Sequence, residues 1–98
     1  MSLSVIYRPV AREEYDRAFE WYENQQPGLG IDFETEVEQV LATIAAHPKR
    51  YPVVHRDIQE APVKRFPYCI YYRVRRGRLI VLAVFHTSRD PAEWQSRV

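Results

Sequence analysis

One histidine and three basic side chains have the types needed to cut a phosphodiester without a metal. Such RNA cleavage needs a base for the 2′-hydroxyl proton, cationic donors for the phosphate charge, and an acid for the leaving oxygen. In this hypothesis His86 is the acid or base. The cationic clamp comprises Arg89, Arg65 and Lys64. A structural interpretation stays open, in which His86 ends a strand with a local hydrogen bond and Arg89 pairs with Asp90 or a helix carboxylate.

An aromatic and basic segment, YCIYYRV at residues 68–74, predicts a second kind of surface. Because side chains alternate along a strand, Tyr71 and Arg73 share one face. This face suits nucleic acid, through stacking and phosphate contacts, or an acidic protein partner. Trp94 either joins it by stacking on a base or docks back over the sheet. We take Tyr71, Arg73 and Trp94 as candidate binding residues, while a merely solvated arginine hairpin remains the alternative.

The sequence has no pattern typical of a metal or cofactor site. His47 and His55 lie near prolines in predicted loops, without spaced carboxylate or cysteine partners. Cys69 is the single cysteine, so it has neither an internal disulfide partner nor a CxxC motif. We therefore interpret Cys69 as structural and expect no metal and no cofactor.

Charge is divided unequally along the chain, although the formal net charge is only +1. Residues 1–48 hold three basic and nine acidic side chains, a net charge of −6. Residues 49–98 hold eleven basic and four acidic side chains, a net charge of +7. The second half is therefore expected to face a polyanion or an acidic partner.

Length and composition limit the class of protein. A chain of 98 residues that is 46% hydrophobic is long enough for one core, so we predict a single domain over residues 1–98. No run approaches the roughly 18–20 apolar residues of a membrane span, and no signal peptide pattern is present. We expect a cytoplasmic protein with no membrane partner.

The first half predicts a strand and two helices. Residues 3–7 are apolar and β-branched, which favours a strand. The apolar stripe of the first helix comprises Ala11, Tyr15, Ala18, Phe19 and Tyr22. That of the second comprises Phe33, Val37, Val40, Leu41 and Ile44. Residues 24–30 separate the helices, and His47-Pro48 ends the second, so they form a helical hairpin. Trp21 falls outside the first stripe and is expected at the core edge, with an interface as the alternative.

The second half predicts β structure. Residues 51–54 form a connection, followed by strands at residues 58–66, 68–74 and 79–85. Pro62 marks an edge or a bulge, and the wholly apolar last strand is typical of a central strand covered on both faces. Asp90 and Pro91 are placed to begin a final helical turn. The predicted fold is α+β, in the order β-α-α-β-β-β, with the helical hairpin packed on a C-terminal antiparallel meander.

Several strings in this order resemble a known family. They are WYE at residues 21–23, PGLG at 27–30, VKRFPYCIYYRV at 63–74, LIVLAVFH at 79–86 and RDPAEW at 89–94. Together they resemble the RelE/ParE family of type II toxin-antitoxin toxins, the plasmid stabilisation type, over roughly residues 3–97.

The resemblance implies a small bacterial toxin, encoded beside an antitoxin that wraps and neutralises it. RelE-like members cut mRNA in the ribosomal A site without metal, whereas ParE-like members poison DNA gyrase and are not nucleases. Lys64 and Arg65 match the basic pair before the aromatic strand of the family. His86 and Arg89 match the polar positions after the last strand.

Two positions depart from the RNA-cleaving pattern. Cys69 and Gln59 stand where such relatives carry arginines, so a guanidinium is missing at the sheet centre. The departures favour ParE-like action on gyrase; an mRNA endoribonuclease and a degenerate toxin that only binds its antitoxin are the alternatives. We expect the antitoxin to lay an acidic and apolar segment in the groove between helices and sheet.

Overall fold

The computed structural model describes residues 3–98, in which two long helices pack on one face of a five-stranded sheet and a short C-terminal helix packs on the other. The elements are β1 (Ser4–Tyr7), α1 (Pro9–Gln25), α2 (Leu29–Ala46), β2 (Val53–His55), β3 (Ile58–Pro62), β4 (Tyr68–Arg75), β5 (Arg78–His86) and α3 (Ala92–Gln95). The strand order is β1-β5-β4-β3-β2, with β1 parallel to β5 and the other pairs antiparallel. The α+β class, the helical hairpin and the short C-terminal helix are confirmed. Within these residues, no helix is both long and apolar enough to span a membrane.

The turn between α1 and α2 is shorter than the sequence predicted. Gly28 adopts a φ of 90°, in the left-handed region that favours glycine, and α2 starts at the next residue. The Glu23 carboxylate accepts hydrogen bonds from the backbone N–H groups of Gly28 and Ile31, at 3.2 and 3.1 Å. These bonds satisfy N–H groups that a helix start leaves unpaired, so the hairpin reverses within a few residues.

The two helices pack closely at Gly30. A Cβ atom added there would lie 2.6 Å from the carbonyl oxygen of Phe19 and would also clash with the Glu23 side chain. We expect Gly30→Ala to lower the free energy of unfolding by about 1–3 kcal/mol, because the helices must separate. Urea denaturation measures this change. The control is Thr35→Ala, on the exposed face of the same helix, which should lower the free energy of unfolding by less than about 0.5 kcal/mol. If Gly30→Ala were as stable as the parent protein, the close approach of the helices would be contradicted.

The structure adds one strand and shortens another. Residues 53–55, predicted as part of a connection, form β2, which pairs with β3 across a tight turn where Arg56 has a φ of 53°. β3 ends at Pro62 instead of continuing to Phe66. It lies between β2 and β4, so of the two alternatives that Pro62 indicated, an edge or a bulge, only a local edge at the Pro62 end is found; the register shift with β2 lies at Val53–His55. Pro62 is tolerated because the pairing with β2 stops before it, and its missing N–H leaves no bond unmade there.

Strand β5 is buried on both faces, as its composition predicted. The pairing with β4 shifts register opposite Leu82, which has no partner in β4. As a result Leu79, Val81 and Val84 face the helices in the main core. A second apolar cluster lies on the opposite face. It comprises Ile58, Tyr71, Leu82, Ala83, Phe85 and Trp94.

Candidate functional site

His86 is the last residue of β5, and clefts lie on both sides of it. One, of about 390 Å³, lies between α1 and the end of the sheet, and we call it the α1 cleft. The other, of about 320 Å³, lies on the opposite face beside Trp94. The Nδ1 atom of His86 accepts a hydrogen bond from the backbone N–H of Ser88 at 3.0 Å, and its ring meets Tyr68 edge-on at 5.1 Å. The imidazole thus makes a local hydrogen bond at the end of a strand, as the structural alternative to a catalytic role for His86 predicted.

The guanidinium of Arg89 is engaged by two carboxylates. Its Nη1 atom donates to Glu14 Oε2 at 2.7 Å, and its Nη2 atom donates to Glu93 Oε2 at 2.6 Å. It also lies 4.2 Å above the ring centroid of Phe85. Partial burial alone would lower the pKa of Arg89, but the bonds with Glu93 and Glu14 raise it. Its positive charge is therefore already balanced within the chain.

Lys64 and Arg65 lie in a different part of the molecule. Arg65 has a φ of 69° in the loop before β4, and its guanidinium is 3.5 Å from Glu36 and 3.7 Å from Asp32 on α2. Lys64 borders a cleft of about 430 Å³ between α2 and the end of β3. Neither residue lines a cleft beside His86. The four candidate catalytic residues thus form two separate pairs, and their catalytic role remains a prediction.

The candidate binding residues Tyr71, Arg73 and Trp94, on the other face of the sheet, are engaged by other side chains of the protein. The rings of Tyr71 and Trp94 stack with centroids 4.0 Å apart, and Trp94 is 2% exposed, so Trp94 docks back over the sheet. The Tyr71 hydroxyl donates to Glu60 at 2.6 Å, and burial, together with this carboxylate, raises the pKa of Tyr71. Arg73 pairs with Asp57 at 2.9 Å. In this conformation Tyr71 has no free ring face for a base.

The surroundings of Cys69 disfavour a reactive thiol. Burial raises the pKa of the Cys69 thiol, and the nearby Glu60 carboxylate adds to the effect. A thiol with a raised pKa stays protonated and is a poor nucleophile, which agrees with a structural role. Within residues 3–98, no group of three or more His, Cys, Asp or Glu side chains is placed to hold a metal ion.

Comparison with known proteins identifies the family. Residues 5–91 match the family model described as the ParE toxin of the type II toxin-antitoxin system, parDE. The chain belongs to the ParE toxin family. A solved structure described as the chromosomal ParDE TA system from P. aeruginosa has a similar fold, with a TM-score of 0.76, 12% identity, and coverage of 89% of this chain and 98% of that chain. No curated protein sequence matches significantly.

In the basic half of this ParE-family chain, residues 49–98, fewer basic side chains are available to a partner than the net charge indicated. Five of its arginines pair with carboxylates: Arg65, Arg73, Arg75, Arg89 and Arg97. Within residues 3–98, the basic side chains without an ion pair are Arg8, Lys49, Arg50, Arg56, Lys64, Arg76 and Arg78. Carboxylates of the helical hairpin thus balance three of the five paired arginines, Arg65, Arg89 and Arg97. Asp57, in the second half, pairs with the other two.

Glu14 was not among the residues that the sequence pattern indicated, and Trp21 lies elsewhere than that pattern predicted. Glu14 is three residues after Ala11 and four before Ala18, on the buried stripe of α1, and its side chain is 11% exposed. A carboxylate on an apolar stripe was the available signal. The expectation of Trp21 at the core edge was wrong, because Trp21 is 58% exposed; it makes a T-shaped aromatic contact with Tyr22, with ring centroids 5.1 Å apart. Trp21 instead lines the α1 cleft.

Proposed function

We propose that this chain is the growth-inhibiting toxin of a type II toxin-antitoxin pair, and that it acts on DNA gyrase rather than by cutting mRNA. Membership of the ParE toxin family supports the toxin role. The arrangement of basic side chains favours gyrase over mRNA as the target. Arg89 is balanced by Glu14 and Glu93. Lys64 borders a different cleft from His86. Arg65 pairs with Asp32 and Glu36 on α2.

A nuclease needs several uncompensated cations around one phosphate. The transition state gains charge on the phosphate oxygens, and preorganised donors stabilise it only when they reach those oxygens directly. Arg89 would have to leave two carboxylates to do so. Gln59 supplies no replacement, since its amide Nε2 donates to the backbone carbonyls of Pro48 at 2.7 Å and Tyr51 at 2.9 Å. A protein surface that binds and poisons another enzyme has no such requirement.

The partner that neutralises the toxin is proposed to be an antitoxin with an apolar and acidic segment. The α1 cleft, between a helix and the sheet, offers such a segment Trp21, which is 58% exposed, and Val10, which is 40% exposed. Arg17 on the rim is also largely exposed. Hydrogen exchange on a co-purified complex should show protection at this cleft. Protection confined to the outer, acidic faces of the helices would contradict this placement.

Substitution of the catalytic candidates separates the two activities. We expect His86→Ala and Arg65→Ala to leave growth inhibition unchanged, because neither side chain is a catalyst in a gyrase poison. Plating of cells that express each variant without antitoxin measures this, with thermal unfolding of the purified variants as the folding control. A ribosome-dependent nuclease would lose toxicity in both variants, and primer extension on translated mRNA would show cuts with the parent toxin.

The decisive biochemical assay is DNA supercoiling by purified gyrase in the presence of the purified toxin. Inhibition of supercoiling, or accumulation of cleaved DNA, supports the proposal. A toxin that neither inhibits growth nor affects gyrase would instead be a degenerate copy that only binds its antitoxin.

A further inference from the structure

Residues 89–98 cross the sheet after β5 without joining it as a strand, and we call them the C-terminal strap. Its only regular element is α3, with four residues. So short a helix is not stable alone, because its few hydrogen bonds do not offset the cost of nucleation. The position of the strap therefore depends on contacts with the rest of the chain.

Glu14 of α1 provides several of these contacts. Its carboxylate accepts hydrogen bonds from Arg89 at 2.7 Å and from two guanidinium nitrogens of Arg97 at 2.9 and 3.0 Å. It also accepts the backbone N–H of Val84 at 3.1 Å. Arg97 donates in addition to the carbonyl of Leu82 at 3.0 Å, where the register of β5 shifts. One carboxylate thus joins both ends of the strap to α1 and to the sheet.

The strap covers the second apolar cluster. Trp94 stacks on Tyr71, and both Trp94 and Phe85 are 2% exposed. The closed state also has a cost, because the buried Nε1 atom of Trp94 has no hydrogen-bond partner within the described residues. The Glu14 contacts and the aromatic stack thus hold the strap closed against the cost of one unsatisfied donor. Terminal segments held by a small number of contacts are those that open locally.

We propose that the C-terminal strap is a latch that Glu14 holds closed, and that its opening exposes Tyr71 and Phe85 without unfolding the domain. The main core between the helices and the sheet contains none of the strap residues, so it remains intact when the strap leaves. Glu14 is a positioning residue in this device.

Trp94 fluorescence tests the latch. The protein has two tryptophans, so Trp21→Phe leaves Trp94 as the sole tryptophan reporter, and Trp21 is an exposed side chain whose loss disturbs little packing. In this background Glu14→Gln keeps an oxygen that can accept the Val84 N–H but loses the charge. We expect a red-shifted Trp94 emission, a several-fold increase in acrylamide quenching, and loss of amide protection at residues 89–98 with β4 and β5 still protected.

Glu13→Gln is the matched control. Glu13 lies on the same helix and forms an exposed ion pair with Arg17, so its substitution should leave Trp94 shielded. A Glu14→Gln variant whose Trp94 is as shielded as in the parent would overturn the latch, and so would equal exposure in Glu13→Gln. If Glu14→Gln fails to fold, Arg97→Gln removes the contact from the strap side and leaves α1 unchanged. Full shielding of Trp94 in that folded variant would also overturn the proposal.

Discussion

Replacement of Phe33 by alanine is expected to lower the free energy of unfolding by about 3–5 kcal/mol. Phe33 is 0% exposed, and its ring lies at the centre of an aromatic cluster. The rings within 6.0 Å of it belong to Tyr15, Tyr22, Phe66 and Tyr68. The loss would be a large fraction of the roughly 5–15 kcal/mol by which domains are stable. Urea denaturation followed by circular dichroism measures it.

Trp21→Ala is the control for this effect, because it also removes a large aromatic side chain from the helical hairpin. Since Trp21 is 58% exposed, its loss should cost less than about 1 kcal/mol. Similar losses in the two variants would mean that the aromatic cluster does not organise the core. The cluster also concerns the site, because Phe66 follows Arg65 directly and Tyr68 contacts the ring of His86.

Expression of this chain without its antitoxin is expected to stop bacterial growth, and this is the largest functional effect that the proposal predicts. An intact toxin abolishes colony formation under an inducible promoter, and co-expression of the protein encoded beside it restores growth. Phe33→Ala serves as the matched inactive control, since a destabilised domain is removed in cells. Normal growth of cells that accumulate the folded parent protein would leave only the degenerate, antitoxin-binding function.

The hydrophobic pattern predicted most of the fold. The stripe from Phe33 to Ile44 has the helical period of 3.6, and the apolar run at residues 79–85 requires cover on both faces. β2 was missed because it has only three residues and follows Pro52, so its stability comes from pairing with β3 and not from its own pattern. Trp21 was misplaced because one position on a helix, about 100° of rotation, separates it from the buried Tyr22.

The candidate site was less predictable, because its contacts join distant parts of the chain. Nothing local indicates that Glu14 accepts from Arg97, which lies 83 residues later. The charge division predicted a free basic surface, whereas acidic side chains of the hairpin bind basic side chains of the sheet half: Glu14 contacts Arg89, and Glu36 contacts Arg65. Exposed pairs such as Arg65–Asp32 contribute at most about 1 kcal/mol. Because the Glu14 side chain is only 11% exposed, solvent screens its ion pairs less, and they contribute more to stability than the exposed pairs do.

We propose that this ParE-family chain inhibits growth through DNA gyrase and not through mRNA cleavage. Titration of purified toxin into a supercoiling reaction with purified gyrase and relaxed plasmid tests it most directly. We predict that supercoiled product disappears, or that cleaved DNA accumulates, as the toxin is added, and that the antitoxin reverses the effect. Undiminished supercoiling at a large excess of folded, growth-inhibiting toxin would contradict the claim.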